Sequence, residues 1–109
     1  MAYDEALAER VRDLLGPRDD LREQPMFGGL SFMVRGNLCC GVHGDDLIAR
    51  LSPEEGEQAL AEPHARPMDF TGRPMRGWLF VGPATAFDDE TLTGWVERSL
   101  AHCLTLKPK

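Results

Sequence analysis

The chain has 109 residues with 18 acids against 12 bases, a formal net charge of −6, and 42% hydrophobic residues, so one soluble domain spanning 1–109 is expected, with roughly two-thirds of its unfolded surface buried. The acid excess opposes a phosphate backbone, whose binding is driven by Lys and Arg, so no direct sequence-specific nucleic-acid binding is expected. No apolar run nears the ~18 residues of a membrane span, and the acidic start MAYDEALAERVRDLL lacks an export signal, which leaves a cytoplasmic protein with no membrane contact as the expectation.

Tyr3, Leu7, Val11, Leu14 and Leu15 recur at helical spacing and stop at Gly16-Pro17, which predicts an amphipathic first helix. From Leu30 the period becomes two. Leu30, Phe32 and Val34 share one face, and Leu38, Cys40 and Val42 resume it after a Gly36-Asn37 hairpin loop. Gly44-Asp45 then turns the chain into a third strand, Leu47 to Leu51. Ser52-Pro53-Glu54-Glu55 combines a cap, a proline at the first helical position and a capping-box glutamate, so a short helix with a thin apolar face should run to about Ala61.

Residues 66 to 81, RPMDFTGRPMRGWLFV, write the triplet Arg-Pro-Met twice. Each proline pushes the Arg before it toward extended geometry and Thr71-Gly72 supplies a turn, so the stretch reads as a hairpin whose second arm is Gly77 to Gly82. Trp78 and Phe80 alternate there with Leu79 and Val81. Asp88-Asp89-Glu90 opens the last helix, with Asp88 as cap and Phe87 to Leu92 spaced as a hydrophobic staple, and Leu92, Trp95, Val96, Leu100, Cys103 and Leu104 form its apolar stripe. The expectation is an α+β domain with a five-stranded antiparallel sheet in the order α-β-β-β-α-β-β-α, and with Trp95 and Leu100 buried on one face.

Three cysteines, with Cys39 and Cys40 adjacent, make an odd count for a disulfide framework, and neighbours in a strand point to opposite faces, so reduced thiols are expected. On a regular strand Cys40 and His43 diverge, and Cys39 and His43 share a face about 13 Å apart, so neither pair holds one zinc ion. No cofactor or metal is expected. His64 and His102 have no local partner in the sequence. The carboxylates of Glu54-Glu55 and Asp88-Asp89-Glu90 sit where helix dipoles favour them, and no nucleophile and base assemble, so an enzyme is not expected.

Two features remain as binding candidates. Phe27, Gly28 and Gly29 can be a simple glycine-permitted bend before the first strand or an anion cradle, although no helix or lysine follows as a phosphate loop requires. Arg66, Asp69, Arg73 and Arg76 place three guanidinium forks and one acid on one hairpin. Arg66 is three residues from Asp69 and suits a local bridge that serves the fold, whereas Arg73 and Arg76 flank a backbone fixed by Gly72 and Pro74 and suit recognition of an anion or a protein.

MFGGLSFMVRGNLCCGV, then LIARLS, then ARPMDFTGRPMRGWLFV together resemble the N-terminal domain of the TfoX/Sxy family of bacterial competence regulators. The resemblance implies an α+β domain of the kind seen in small secretion chaperones. Long family members are associated with switching on DNA-uptake genes beside a cyclic-AMP-dependent transcription factor and carry a second, helical C-terminal domain that this sequence does not show. The resemblance supplies no catalytic residue. It implies a regulatory or adaptor domain working through a protein partner, with homodimerisation through Trp78 and Phe80 as one possibility. The alternative is a small anionic ligand held by the arginine hairpin.

Overall fold

The structure is a computed structural model describing residues 3–26, 28–68, 76–83 and 88–108. Helix α1 (Glu5–Leu15) begins at Asp4, whose Oδ1 accepts from the backbone N–H groups of Ala6 and Leu7, and presents Leu7, Ala8, Val11 and Leu15 to the interior. Strands β1 (Leu21–Met26), β2 (Gly29–Val34), β3 (Asn37–His43) and β4 (Asp46–Arg50) follow, then α2 (Pro53–Ala59), β5 (Ala65–Pro67), β6 (Trp78–Val81) and α3 (Asp89–Cys103). The strands make one sheet in the order β1-β2-β3-β4-β6-β5, with every neighbouring pair antiparallel.

The sheet has six strands rather than five. The additional one is β1, an edge strand that the alternation rule passes over because Arg22, Glu23, Gln24 and Pro25 occupy most of it. Its charges and its proline suit an edge, where no further strand needs the missing N–H and unwanted pairing is discouraged. Gly28 therefore lies in the turn between β1 and β2 and Gly29 opens β2, so the pair is not ahead of the first strand.

The β2–β3 loop is Arg35-Gly36, since Val34 pairs with Asn37, and both loop residues have positive φ (56° and 80°), as a type I′ hairpin requires. Within that pair the register slips: Phe32 faces Cys40 and Met33 faces Leu38, which leaves Cys39 as the extra residue of a β-bulge. The bulge turns Cys39 to the same side as Cys40, so both belong to the core and the expectation of opposite faces is corrected. It also separates Cys39 from His43, whose ring lies against Phe80 on the other side of the sheet.

One core joins Leu7, Val11 and Leu15 of α1, Leu92, Trp95, Val96 and Cys103 of α3, and Ala59 of α2 to one sheet face that includes Phe32, Val34, Val42, Leu47, Leu79 and Val81. Trp95 is 4% exposed, as the stripe predicts, whereas Leu100 is only half-buried against this core and Leu104, the end of the stripe, is exposed. Helix α3 is capped by Asp88, whose Oδ1 accepts from the Thr91 N–H at 2.8 Å; the staple residue Phe87 lies outside the described residues. Helix α2 ends at Ala59, sooner than expected, with Ser52 as cap and Pro53 in the first turn. The β5–β6 pairing, Ala65 to Val81 through Pro67 to Leu79, bears out the hairpin, although its first arm has only three residues.

Candidate functional site

The hairpin is held against α2 by two glycines. Gly77 has φ +84° and donates no side chain to a spot where a Cβ would strike the Leu51 carbonyl oxygen, while its own carbonyl accepts from the Leu51 N–H at 2.7 Å. Gly56, in the middle of α2, approaches so closely that a Cβ there would sit 2.5 Å from the Gly77 Cα. Helix and hairpin thus meet backbone to backbone, and the side chains flanking the contact are left to form walls.

Those walls enclose a groove of about 240 Å3 between α2 and the β5–β6 hairpin. Leu60, Pro67, Trp78 and Leu79 supply apolar surface. Arg76 and Glu57, also lining it, pair with each other at 3.2 Å, with side chains 63% and 60% exposed. Leu60 is among the few exposed large hydrophobic residues described, at 38%. The hollow between α1 and α3 is slightly larger, about 300 Å3, but the Arg10–Asp89 ion pair at 2.7 Å spans residues of its lining.

Of the predicted hairpin arginines, the two described ones, Arg66 and Arg76, separate. Arg66, on β5, does not meet Arg76 in the groove; its Nη2 pairs with Asp46 at 2.5 Å and its guanidinium lies 5.7 Å from the Phe80 ring centroid. Asp46 on β4, twenty residues upstream, reaches Arg66 because β6 brings β4 and β5 within one strand's width on either side. Asp69, Arg73 and Phe27, and with them the turn of the hairpin, lie outside the described residues. Gly28 has φ +75° in the β1–β2 turn, and a Cβ on Gly29, the first residue of β2, would overlap the Val42 carbonyl oxygen of β3, so both glycines answer to backbone geometry.

Arg66 contributes an exposed ion pair of ~0–1 kcal/mol and a cation–π contact of ~0.5–1 kcal/mol. Arg66→Ala is therefore expected to lower stability by about 0.5–2 kcal/mol, read as a shift of roughly 2–16 °C in thermal melting.

Most of the described arginines are paired with the protein's own acids. Ion pairs join Arg12 to Glu23, Arg18 and Arg35 to Asp20, and Arg98 to Glu62, in addition to those of Arg10, Arg66 and Arg76. Arg50 instead gives a hydrogen bond to the Leu38 carbonyl and lies 5.0 Å from the Trp78 ring centroid. The described arginines of the hairpin are therefore held by the protein's own acids, and the part of the site that offers unfilled space is apolar. Leu60 and Glu57 were not legible as site residues; the available signal was an exposed leucine closing a helix whose apolar face is thin.

A family model described as the TfoX N-terminal domain matches residues 13–103. No curated protein and no solved structure matches the chain.

Proposed function

The chain belongs to the TfoX N-terminal domain family, and from that premise we propose that it is a non-enzymatic regulatory domain that acts by protein contact, taking an apolar side chain of its partner into the groove beside α2. The observation that carries this reading is the groove itself: apolar walls from Leu60, Pro67, Trp78 and Leu79, with the Arg76–Glu57 pair among its lining. An apolar pocket lined partly by a salt-linked charge pair is the arrangement in which a buried anchor supplies affinity and polar groups supply orientation. Compensated arginines give less support to a small anionic ligand, since an anion would have to displace Asp46 from Arg66 or Glu57 from Arg76.

The proposal extends to a competence-type regulatory role in the cytoplasm, to a fold of the small secretion-chaperone kind, and to contact with nucleic acid only through a partner, in keeping with the net charge of −6. No helix among the described residues is long and apolar enough to cross a membrane. The test is capture of partners from native lysate on the immobilised domain. Leu60→Glu places a charge in the groove and should remove the captured species, with a melting temperature within about 4 °C of the parent because the residue is exposed. Unchanged capture by that variant would move the recognition surface elsewhere.

A further inference from the structure

The ion pair at the α2 groove is only half made. Arg12 meets Glu23, Arg18 meets Asp20 and Arg98 meets Glu62 through two N–H groups each. Arg76 gives only its Nε–H to Glu57 Oε1, at 3.2 Å. The Nη groups of Arg76 and the Oε2 of Glu57 have no partner among the described residues, and both side chains are more than half exposed. Leu60 follows Glu57 by three residues, about one helical turn, so the exposed leucine and the half-used charges stand side by side at the groove.

We propose that the occupant of the groove is a second copy of this chain, in a two-fold dimer where each copy places Leu60 in the other's groove and sets Arg76 against the other's Glu57. The dimer rests on the groove being the site of protein contact and names the partner there. A two-fold interface presents the same patch from both sides, so the patch must be complementary to itself. This one carries a projecting leucine, a hollow, an acid and a base. A cavity of ~150 Å3 already admits a benzene-sized group, so a groove of about 240 Å3 has room for a leucine side chain.

Charge selects this patch over the other hollow that an exposed leucine lines. At a net charge of −6 two copies repel, and they can meet only where local charge balances. The described residues lining the α2 groove include one acid, Glu57, and one base, Arg76. The hollow beside Leu14 is lined by Asp13 and Asp89 against Arg10, so pairing it with itself would set four acids against two bases. Around a two-fold axis at the α2 groove the charges alternate in sign, and the Arg76 Nη groups donate to the free Oε2 of the second copy's Glu57. Such charge-assisted bonds offset the desolvation of both groups. The walls are already held backbone to backbone by Gly56 and Gly77, so little ordering is required on association. The patch is smaller than the ~800 Å2 per partner of a standard interface, so the expected dimer is a weak, micromolar one.

Sedimentation equilibrium of the full chain from about 5 to about 500 µM, at near-physiological salt, tests this. The parent's weight-average mass should climb from one chain toward two, and Leu60→Glu should stay at one chain throughout. Glu57→Arg alone and Arg76→Glu alone should also stay monomeric, because each sets like charges across the axis. An equimolar mixture of those two variants restores both cross-chain pairs and should associate at least about tenfold more tightly than either alone. Rescue in trans cannot come from a role inside one chain, and all three positions are exposed, so the variants fold. A parent that stays monomeric, a dimer that survives Leu60→Glu, or a mixture no tighter than its components overturns the dimer. A groove that serves a different protein is distinguished by a monomeric parent whose Leu60→Glu variant still loses the species captured from lysate.

Discussion

Replacing Gly77 with alanine is expected to cost roughly 3 kcal/mol or more, a fall of about 12 °C or more in the melting temperature. Two penalties add. At φ +84° an L side chain loses ~1–2 kcal/mol against the following carbonyl, and the new Cβ would overlap the Leu51 carbonyl oxygen, a backbone atom that cannot swing aside as a side chain does. Leu51 and Gly77 also share the 2.7 Å hydrogen bond that seats the start of β6, so relieving the overlap loosens the groove wall. In an ordinary helix Gly→Ala gains ~0.5–1 kcal/mol, but at Gly56 the Cβ would lie 2.5 Å from the Gly77 Cα. Gly56→Ala should therefore destabilise, reversing the usual sign, and thermal melts of both variants check it. A Gly56→Ala protein melting above the parent would show that α2 and the hairpin are not in backbone contact.

Trp95→Ala should be at least as damaging, at about 3–5 kcal/mol, because a large buried aromatic leaves a cavity that its neighbours only partly fill. Trp95 is 4% exposed, lies in the same core as Leu7, Val11 and Val96, and carries the Arg98 guanidinium 4.4 Å from its ring centroid. Arg98 in turn holds Glu62, so loss of the ring also removes the platform for an ion pair that ties α3 to the segment after α2. Denaturant unfolding measures this directly. Trp78 would remain as the variant's single tryptophan, reporting on the groove while the core is weakened.

Much of this architecture could be read from particular residues. Asp88, Ser52 and Pro53 marked the starts of α3 and α2, and the stripe through Trp95 marked which face of α3 is buried, since capping and periodicity are local signals. The Arg35-Gly36 turn was displaced by one residue because Gly36-Asn37 is the commoner-looking pair for a loop opened by glycine. β1 was hidden by its own role, an edge strand whose charges face water. The bulge at Cys39 was invisible because nothing in LCCGV distinguishes an inserted residue from a regular one; only pairing with Phe32 and Met33 does.

The site was less legible than the fold for a related reason. Asp46 meets Arg66 only because the chain returns β6 between β4 and β5, and Leu60 meets Pro67 and Trp78 only because Gly56 and Gly77 let helix and hairpin touch. Long-range contacts of this kind depend on strand order, which the sequence of elements leaves open. Arg66 shows the difference: the local acid Asp69 lies outside the described residues, and the described partner, Asp46, is twenty residues away in sequence.

The groove can be separated from general surface effects by three leucines of nearly equal exposure, Leu14 at 39%, Leu60 at 38% and Leu104 at 36%, of which only Leu60 lines it. The decisive measurement is the affinity of the purified captured partner for Leu14→Glu, Leu60→Glu and Leu104→Glu, compared with the parent by titration calorimetry. Docking at the groove predicts a loss of about 2 kcal/mol or more for Leu60→Glu alone, the range of an interface anchor, with the other two within about 0.5 kcal/mol of the parent. Equal affinity of all three variants, or a loss confined to Leu14→Glu or Leu104→Glu, would contradict it.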